Sequence, residues 1–208
     1  ELKEHQQAVE AAKKNDHRTL GQKLGIYAIA DEVGKGLPLW LPNGGAIRKA
    51  LETLAYEMEF AAGYHQVSTP EITREGLYYT SGHLPLYKEA MFPPMELYEE
   101  GPTVEAEEHA YAAGESAKAR YYLKPMNCPH HHMCFKAEKR AYRDLPLRLT
   151  EYGNCYRFER AGSLQGLTRV RGMCMNDAHI YVTPDQLKDE FKAVMELHQK
   201  YYALFGFD

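Results

Sequence analysis

The sequence predicts an α/β (α+β) domain, an antiparallel sheet flanked by helices. Three observations carry that expectation. The stretch Glu151 to Tyr181 reads as two antiparallel strands joined by a polar loop, with Gly162, Ser163 and Gln165-Gly166 supplying the turn chemistry. Two long segments repeat apolar residues at helical spacing: Ile47, Leu51, Leu54 and Met58, then Leu187, Phe191, Val194, His198, Tyr201 and Phe205. Short β-type runs between them are bounded by glycine and proline.

Taken in order, residues 1–15 form a polar linker helix, and residues 16–208 form the domain. Asp16 is placed to cap a second short helix with Leu20 and Leu24 on one face, ended by Gly25. Ile26 to Ala30 reads as a strand, and Gly34 to Pro42 as a loop anchored by Trp40. Asn43 opens the first long helix and Gly63 closes it. His65 to Thr69 is a strand that stops at Pro70, which has no N–H for a ladder. That helix and strand suit a subunit interface or ordinary core equally. Ile72 to Tyr79 reads as a short helix, broken at Ser81-Gly82-His83. Tyr98 to Glu115 is acidic and reads as a solvated excursion. Tyr121 to Lys124 returns to strand character. Asn127 or Cys128 caps the next helix, with Pro129 at its first position. His130, His131 and His132 point in different directions on that helix, so they cannot share one metal; surface or helix-start roles are expected. Leu147 and Leu149 alternate with polar residues, leading into the hairpin. Thr183-Pro184-Asp185-Gln186 is a capping box for the last helix, which Gly206 ends, with His198 expected in the core.

At 208 residues and a net charge of -4, the chain is long enough for one full domain and too acidic for non-specific nucleic-acid binding. The charge is uneven. Lys118 to Arg171 holds 12 basic and 4 acidic residues, against 10 and 19 up to Ala117, so a local phosphate-binding surface remains open. No apolar run approaches a membrane span, and Cys128, Cys134, Cys155 and Cys174 form no CxxC pair. A reducing, cytoplasmic location is expected, with no membrane partner.

The hairpin carries the chemistry. Alternate residues of a strand share a face. Cys155, Arg157 and Glu159 therefore share one face, and Arg169, Arg171, Met173, Met175, Asp177 and His179 share one on the second strand. No phosphate loop or dinucleotide fingerprint is present. Paired arginines can replace those backbone cradles, because a guanidinium is permanently charged and bidentate toward phosphate. Arg157 and Arg169 suit two phosphates of one nucleotide, and Glu159 suits an exocyclic amine. An Arg–Glu cross-strand pair that only stabilises the sheet fits the same spacing. Cys128 and His179 are candidate metal ligands of the sulfur and nitrogen type that suits zinc; a buried cysteine and a structural histidine are the alternative.

Several strings in order resemble threonyl-tRNA synthetase, a class II aminoacyl-tRNA synthetase. They are DHRTLG at 16–21, GLPLWLPNG at 36–44, SGHLPLYKEAMF at 81–92, KPMNCP at 124–129, YRDLPLRLTEYGNCYRFE at 142–159 and SLQGLTRVRGMCMNDAHI at 163–180. The resemblance implies a class II catalytic domain and a threonine–tRNA ligase. Such an enzyme activates L-threonine with ATP and passes it to the 3′ end of tRNA(Thr). Residues 43–70 would be the first signature, forming a homodimer. Residues 157–171 would be the second, its loop Ala161 to Thr168 approaching the tRNA acceptor end. Arg157 would bind the ATP α-phosphate and the threonine carboxylate, Glu159 and Met173 would face adenine, and Arg169 would reach the γ-phosphate. Met126, Met175 and Asp177 would lie beside threonine. Cys128 and His179 would hold Zn²⁺, which selects threonine over valine, and Mg²⁺ would accompany ATP.

The sequence departs from the family pattern at His130, where glycine is common, at Met173, where an aromatic residue is common, and at Met175 and Asn176, where Gln and Asp are expected. The third signature, the third zinc ligand, an editing domain and an anticodon-binding domain are not found in the 208 residues. The expectation is therefore a truncated catalytic domain, weakly active or inactive by itself. A non-catalytic synthetase relative, binding adenylate or tRNA as a regulatory module, is the competing reading.

Overall fold

The structure is a computed structural model that describes residues 2–98 and 118–207. Most of the acidic excursion expected over 98–115 lies outside the described residues. Helices α1 (Leu2–Lys14) and α2 (His17–Lys23) open the chain. Asp16 caps α2 as expected, accepting from the Arg18 N–H at 2.8 Å. Strand β1 is only Tyr27–Ala28, shorter than the run expected over 26–30. It pairs antiparallel with β2 (Leu39–Trp40), so the segment expected to be all loop contributes a strand. Trp40 pays its way in both roles, packing on Tyr27 at 6.3 Å between ring centroids and under the Arg48 guanidinium at 5.2 Å.

Helix α3 (Pro42–Ala61) begins one residue before Asn43, with Pro42 in the first turn where its missing N–H costs nothing. Asn43 instead ties back to the Leu24 carbonyl at 2.7 Å. Gly44 is buried where α3 crosses β1, and a Cβ there would land on the Ile26 carbonyl oxygen. That oxygen already accepts from Leu41 N–H at 3.0 Å and cannot move freely. Gly44→Ala is expected to destabilise the protein by about 2–4 kcal/mol, read from thermal or denaturant unfolding. Gly63 ends α3 with φ +81°, the left-handed value glycine tolerates. The apolar stripe of α3 is not core: Ile47 and Leu51 are exposed, and the buried residues are Gly44, Ala55 and Glu59.

Next come β3 (His65–Gln66), β4 (Ile72–Arg74), α4 (Glu75–Thr80), α5 (His83–Leu86) and β5 (Met95–Tyr98). The segment expected as a helix over 72–79 therefore starts as a strand, because Ile72 to Arg74 finds a ladder partner far away in sequence. After these come β6 (Lys118–Leu123), α6 (Cys128–Lys136), β7 (Leu147–Tyr156), β8 (Gly172–Tyr181) and α7 (Leu187–Phe205). One sheet runs β4-β6-β5, all antiparallel; another runs β3-β7-β8, with β3 parallel to β7 and β8 antiparallel to it. Tyr78, Leu84, Met91 and Tyr122 form the apolar core beside the first sheet.

Two expectations about the last third need correction. The ladder stops at Tyr156 and resumes at Gly172, so Arg157, Glu159, Arg169 and Arg171 stand in a 157–171 loop beyond the strands. One further hydrogen bond, Arg157 N–H to Arg171 O at 2.8 Å, carries the pairing just past the strand ends. Helix α7 starts at Leu187, after a turn. Only the reciprocal half of its capping box forms, with the Gln186 side chain accepting from Thr183 N–H at 3.0 Å. Its apolar stripe is largely uncovered, with Phe191 and Leu187 exposed. His198 is also exposed rather than core, bonded to the Val194 carbonyl at 2.9 Å. Among the described residues no helix is long and apolar enough to cross a membrane.

Candidate active site

The β7–β8 register fixes which side chains meet. Directly opposed residues share a face. The pairs Leu149↔His179, Glu151↔Asp177, Gly153↔Met175 and Cys155↔Met173 therefore place one row on the face that α6 covers. The β8 face expected from alternation is present from Met173 to His179. Arg157 reaches the same wall from the loop. Its Nε donates to the Pro125 carbonyl at 3.3 Å, and Nη2 lies 4.0 Å from Met175 Sδ.

Helix α6 brings Cys128 to this wall. Asn127 occupies its cap position, yet its carboxamide makes no cap hydrogen bond. It turns into the sheet instead. Cys155 Sγ donates to its Oδ1 at 3.4 Å, and its Nδ2 donates to Asp177 Oδ2 at 3.3 Å. Gly153 makes this possible, since a Cβ there would strike the Asn127 carboxamide. Asn127 is fully buried and so locks α6 onto β7 and β8.

One donor atom each from Cys128, Asp177 and His179 lie within 4.8 Å of one another. Sulfur, nitrogen and oxygen in one half-buried cluster is a set that suits zinc. The electrostatics fit a cation too. Burial, and then the Asp177 charge, push the Cys128 thiol up. Burial holds His179 below its usual value, which keeps the ring neutral as a ligand must be. A cation would relieve the Cys128–Asp177 repulsion.

The histidines of α6 are not surface residues as a set. His131 is fully buried and His130 nearly so; only His132 is exposed, bonded to Tyr181 Oη at 2.8 Å. Burial, then Lys124, lowers His130 to about 4, and neither of its ring nitrogens has a partner among the described residues. The three still diverge, as helical spacing requires.

Glu159 and Arg169 bond each other, with Nε and Nη2 both 3.0 Å from Oε2. The ion pair is the geometry this structure holds. Met173 lines a cavity of about 460 Å³ together with Trp40, Arg48, Tyr152 and Val170. Asn176 faces away from the cluster and donates to Glu59 Oε1 at 2.6 Å, joining β8 to α3. Met126 is half-buried, two residues before Cys128.

Sequence reasoning missed the support behind the wall. Lys124 and His131 are fully buried and Glu151 nearly so. Glu151 accepts from Thr69 N–H at 2.6 Å, stands 3.5 Å from Lys124 Nζ and 3.1 Å from His131 Nε2. The available signal was a lysine and a glutamate each following an apolar strand pattern, where an unpaired charge cannot stay.

The comparisons with known proteins bear on this wall. A family description, the tRNA synthetase class II core domain (G, H, P, S and T), matches residues 111–208. The chain is 46% identical over 206 residues to a threonine–tRNA ligase of Pelodictyon phaeoclathratiforme, and 47% identical to that of Halalkalibacterium halodurans. Each match covers 99% of the chain and 29% of the relative's length. Among solved structures, the RNA binding domain of Cryptosporidium parvum threonyl-tRNA synthetase superposes with a TM-score of 0.79 at 35% identity, covering 93% of this chain and 43% of that one. Giardia lamblia prolyl-tRNA synthetase, at 18% identity and a TM-score of 0.70, shares the fold.

Proposed function

We infer that the chain is part of the catalytic domain of a threonine–tRNA ligase, from its likeness to class II tRNA synthetases of the threonyl type. The observation that carries this reading is the Cys128–Asp177–His179 cluster on the same wall as Arg157. The substrates are ATP, L-threonine and tRNA(Thr). The chain spans 29% of the length of the ligases it matches, so further parts of such an enzyme contribute to the reaction.

The residues divide the work as follows. Arg157 presents its guanidinium at the edge of the wall, where the threonine carboxylate and the ATP α-phosphate meet. It orients the carboxylate for attack on phosphorus and offsets the charge that develops there. Asp177 accepts from the threonine amine. Cys128 and His179 would hold zinc, which would supply a Lewis-acid site able to favour threonine, with its hydroxyl, over valine, which lacks one. Glu159 and Arg169 exchange their mutual ion pair for adenine and γ-phosphate when ATP, with its Mg²⁺, binds. The exposed apolar stripe of α3 accords with a homodimer through residues 43–70, and the four free thiols accord with a reducing cytoplasm.

The test is metal content together with amino-acid-dependent ATP–pyrophosphate exchange in the full-length protein. Wild type is expected to hold stoichiometric zinc and to exchange with threonine and not valine. Cys128→Ala is expected to lose the zinc and more than about 100-fold of the threonine-dependent rate. Adenylate binding without exchange would replace the ligase reading with that of a non-catalytic relative, and zinc-independent exchange would remove zinc from the site while leaving an active synthetase.

A further inference from the structure

His131 stands between a carboxylate and a proposed metal ligand. It lies on α6, three residues after Cys128, and is completely buried. Its Nε2 is 3.1 Å from Glu151 Oε2 and its Nδ1 is 2.8 Å from His179 Nδ1. The two rings meet edge to face, centroids 4.7 Å apart at 84°. Both nitrogens of His131 are thus engaged, so it is not itself a ligand.

The proton positions follow from the partners. Desolvation opposes ionisation of Glu151, but the Thr69 N–H and hydroxyl and the Lys124 ammonium outweigh it and hold the carboxyl below its usual range. An ionised carboxylate only accepts, so His131 Nε2 carries the hydrogen. In a neutral imidazole the other nitrogen is then an acceptor. The 2.8 Å contact needs one proton between two nitrogens, and His179 must supply it from Nδ1. That leaves a bare lone pair on His179 Nε2, the atom free to face Cys128 and Asp177.

We propose that Glu151 and His131 form a two-step relay that fixes the tautomer and ring orientation of His179, so that Nε2 is presented to the metal. His131 is a positioning residue. Metal-bound histidines generally donate their second N–H to an outer partner, and here that partner is another imidazole anchored by a carboxylate. The identity of the metal as zinc rests on the reading in the preceding subsection.

Two substitutions separate the two ends of His131. In His131→Asn the side-chain oxygen sits near the place of Nδ1, keeping the acceptor for His179 and losing Glu151. In His131→Gln the amide sits near the place of Nε2, keeping the donor for Glu151 and losing His179. His131→Asn takes one donor from Glu151, which keeps Thr69 and Lys124, and His131→Gln takes the acceptor from half-buried His179, so metal affinity is the readout that separates them. Zinc dissociation constants of the full-length protein are measured by chelator competition. His131→Asn is expected within about threefold of wild type, and His131→Gln about 10–100-fold weaker. Equal affinities, or the reverse order, would overturn the relay while leaving the zinc site intact. Wild type without zinc would overturn both readings. Cobalt substitution gives a second readout: the visible bands of His131→Asn are expected to match wild type, and a changed spectrum in that variant counts against the relay.

Discussion

Arg157→Ala is expected to lower threonine-dependent ATP–pyrophosphate exchange by roughly 10²–10³-fold, the scale of losing one preorganised group aimed at developing charge. The structure gives the reason. The guanidinium is pinned on one edge by the Pro125 carbonyl and rests against Met175 Sδ, with its position set before any nucleotide arrives. Arg157→Lys keeps the charge and loses the planar fork, so it is expected to recover little of the rate. The loss should fall on kcat and kcat/KM together, with KM for ATP nearly constant, because the interaction strengthens as charge develops on phosphorus. Zinc content should be unchanged, since Arg157 is outside the Cys128, Asp177 and His179 cluster. A variant that keeps more than a tenth of the rate, or loses its zinc, would remove Arg157 from the role given to it.

The division between what the sequence showed and what it concealed has a physical pattern. Strand parity placed Met175, Asp177 and His179 on one face of β8, because alternation is a property of the backbone alone. It could not place Arg157 and Glu159, because a ladder ends where its hydrogen bonds end, and Tyr156 is the last residue of β7. Leu39–Trp40 reads as loop by its prolines and becomes a strand because Tyr27–Ala28 lies beside it. The stripe on α3 was legible as apolar, but whether such a stripe is buried depends on what lies against it; in this chain Gly44, Ala55 and Glu59 face inward instead. Spacing alone left Cys128 and His179 as separate residues, and only the resemblance joined them. Their meeting depends on Asn127 reaching Cys155 and Asp177 through the space Gly153 leaves, a contact no local pattern encodes.

The buried charges behind the site set the second large expectation. Lys124 has no exposed surface, and among the described residues its ammonium finds Glu151 and the Thr69 hydroxyl, at 3.5 and 2.9 Å. Removing one partner leaves the other charge buried and unmatched. Lys124→Met and Glu151→Leu are therefore each expected to cost about 3–5 kcal/mol in stability. Replacing both removes both unmatched charges, so the double variant should fall short of the summed cost by about 1–3 kcal/mol in a double-mutant cycle. Simple additivity would mean that the two charges do not depend on each other. The same pair predicts a pH dependence. The folded carboxyl of Glu151 lies below its ordinary value, so its stabilisation is complete above the ordinary glutamate range and lost as the pH falls through its depressed folded value. The stability gap between wild type and Glu151→Leu should therefore narrow in acid. A gap constant across that range would mean that Glu151 contributes by shape and not by charge. The tautomer of His179 would then lack the ionised anchor from which it is inferred.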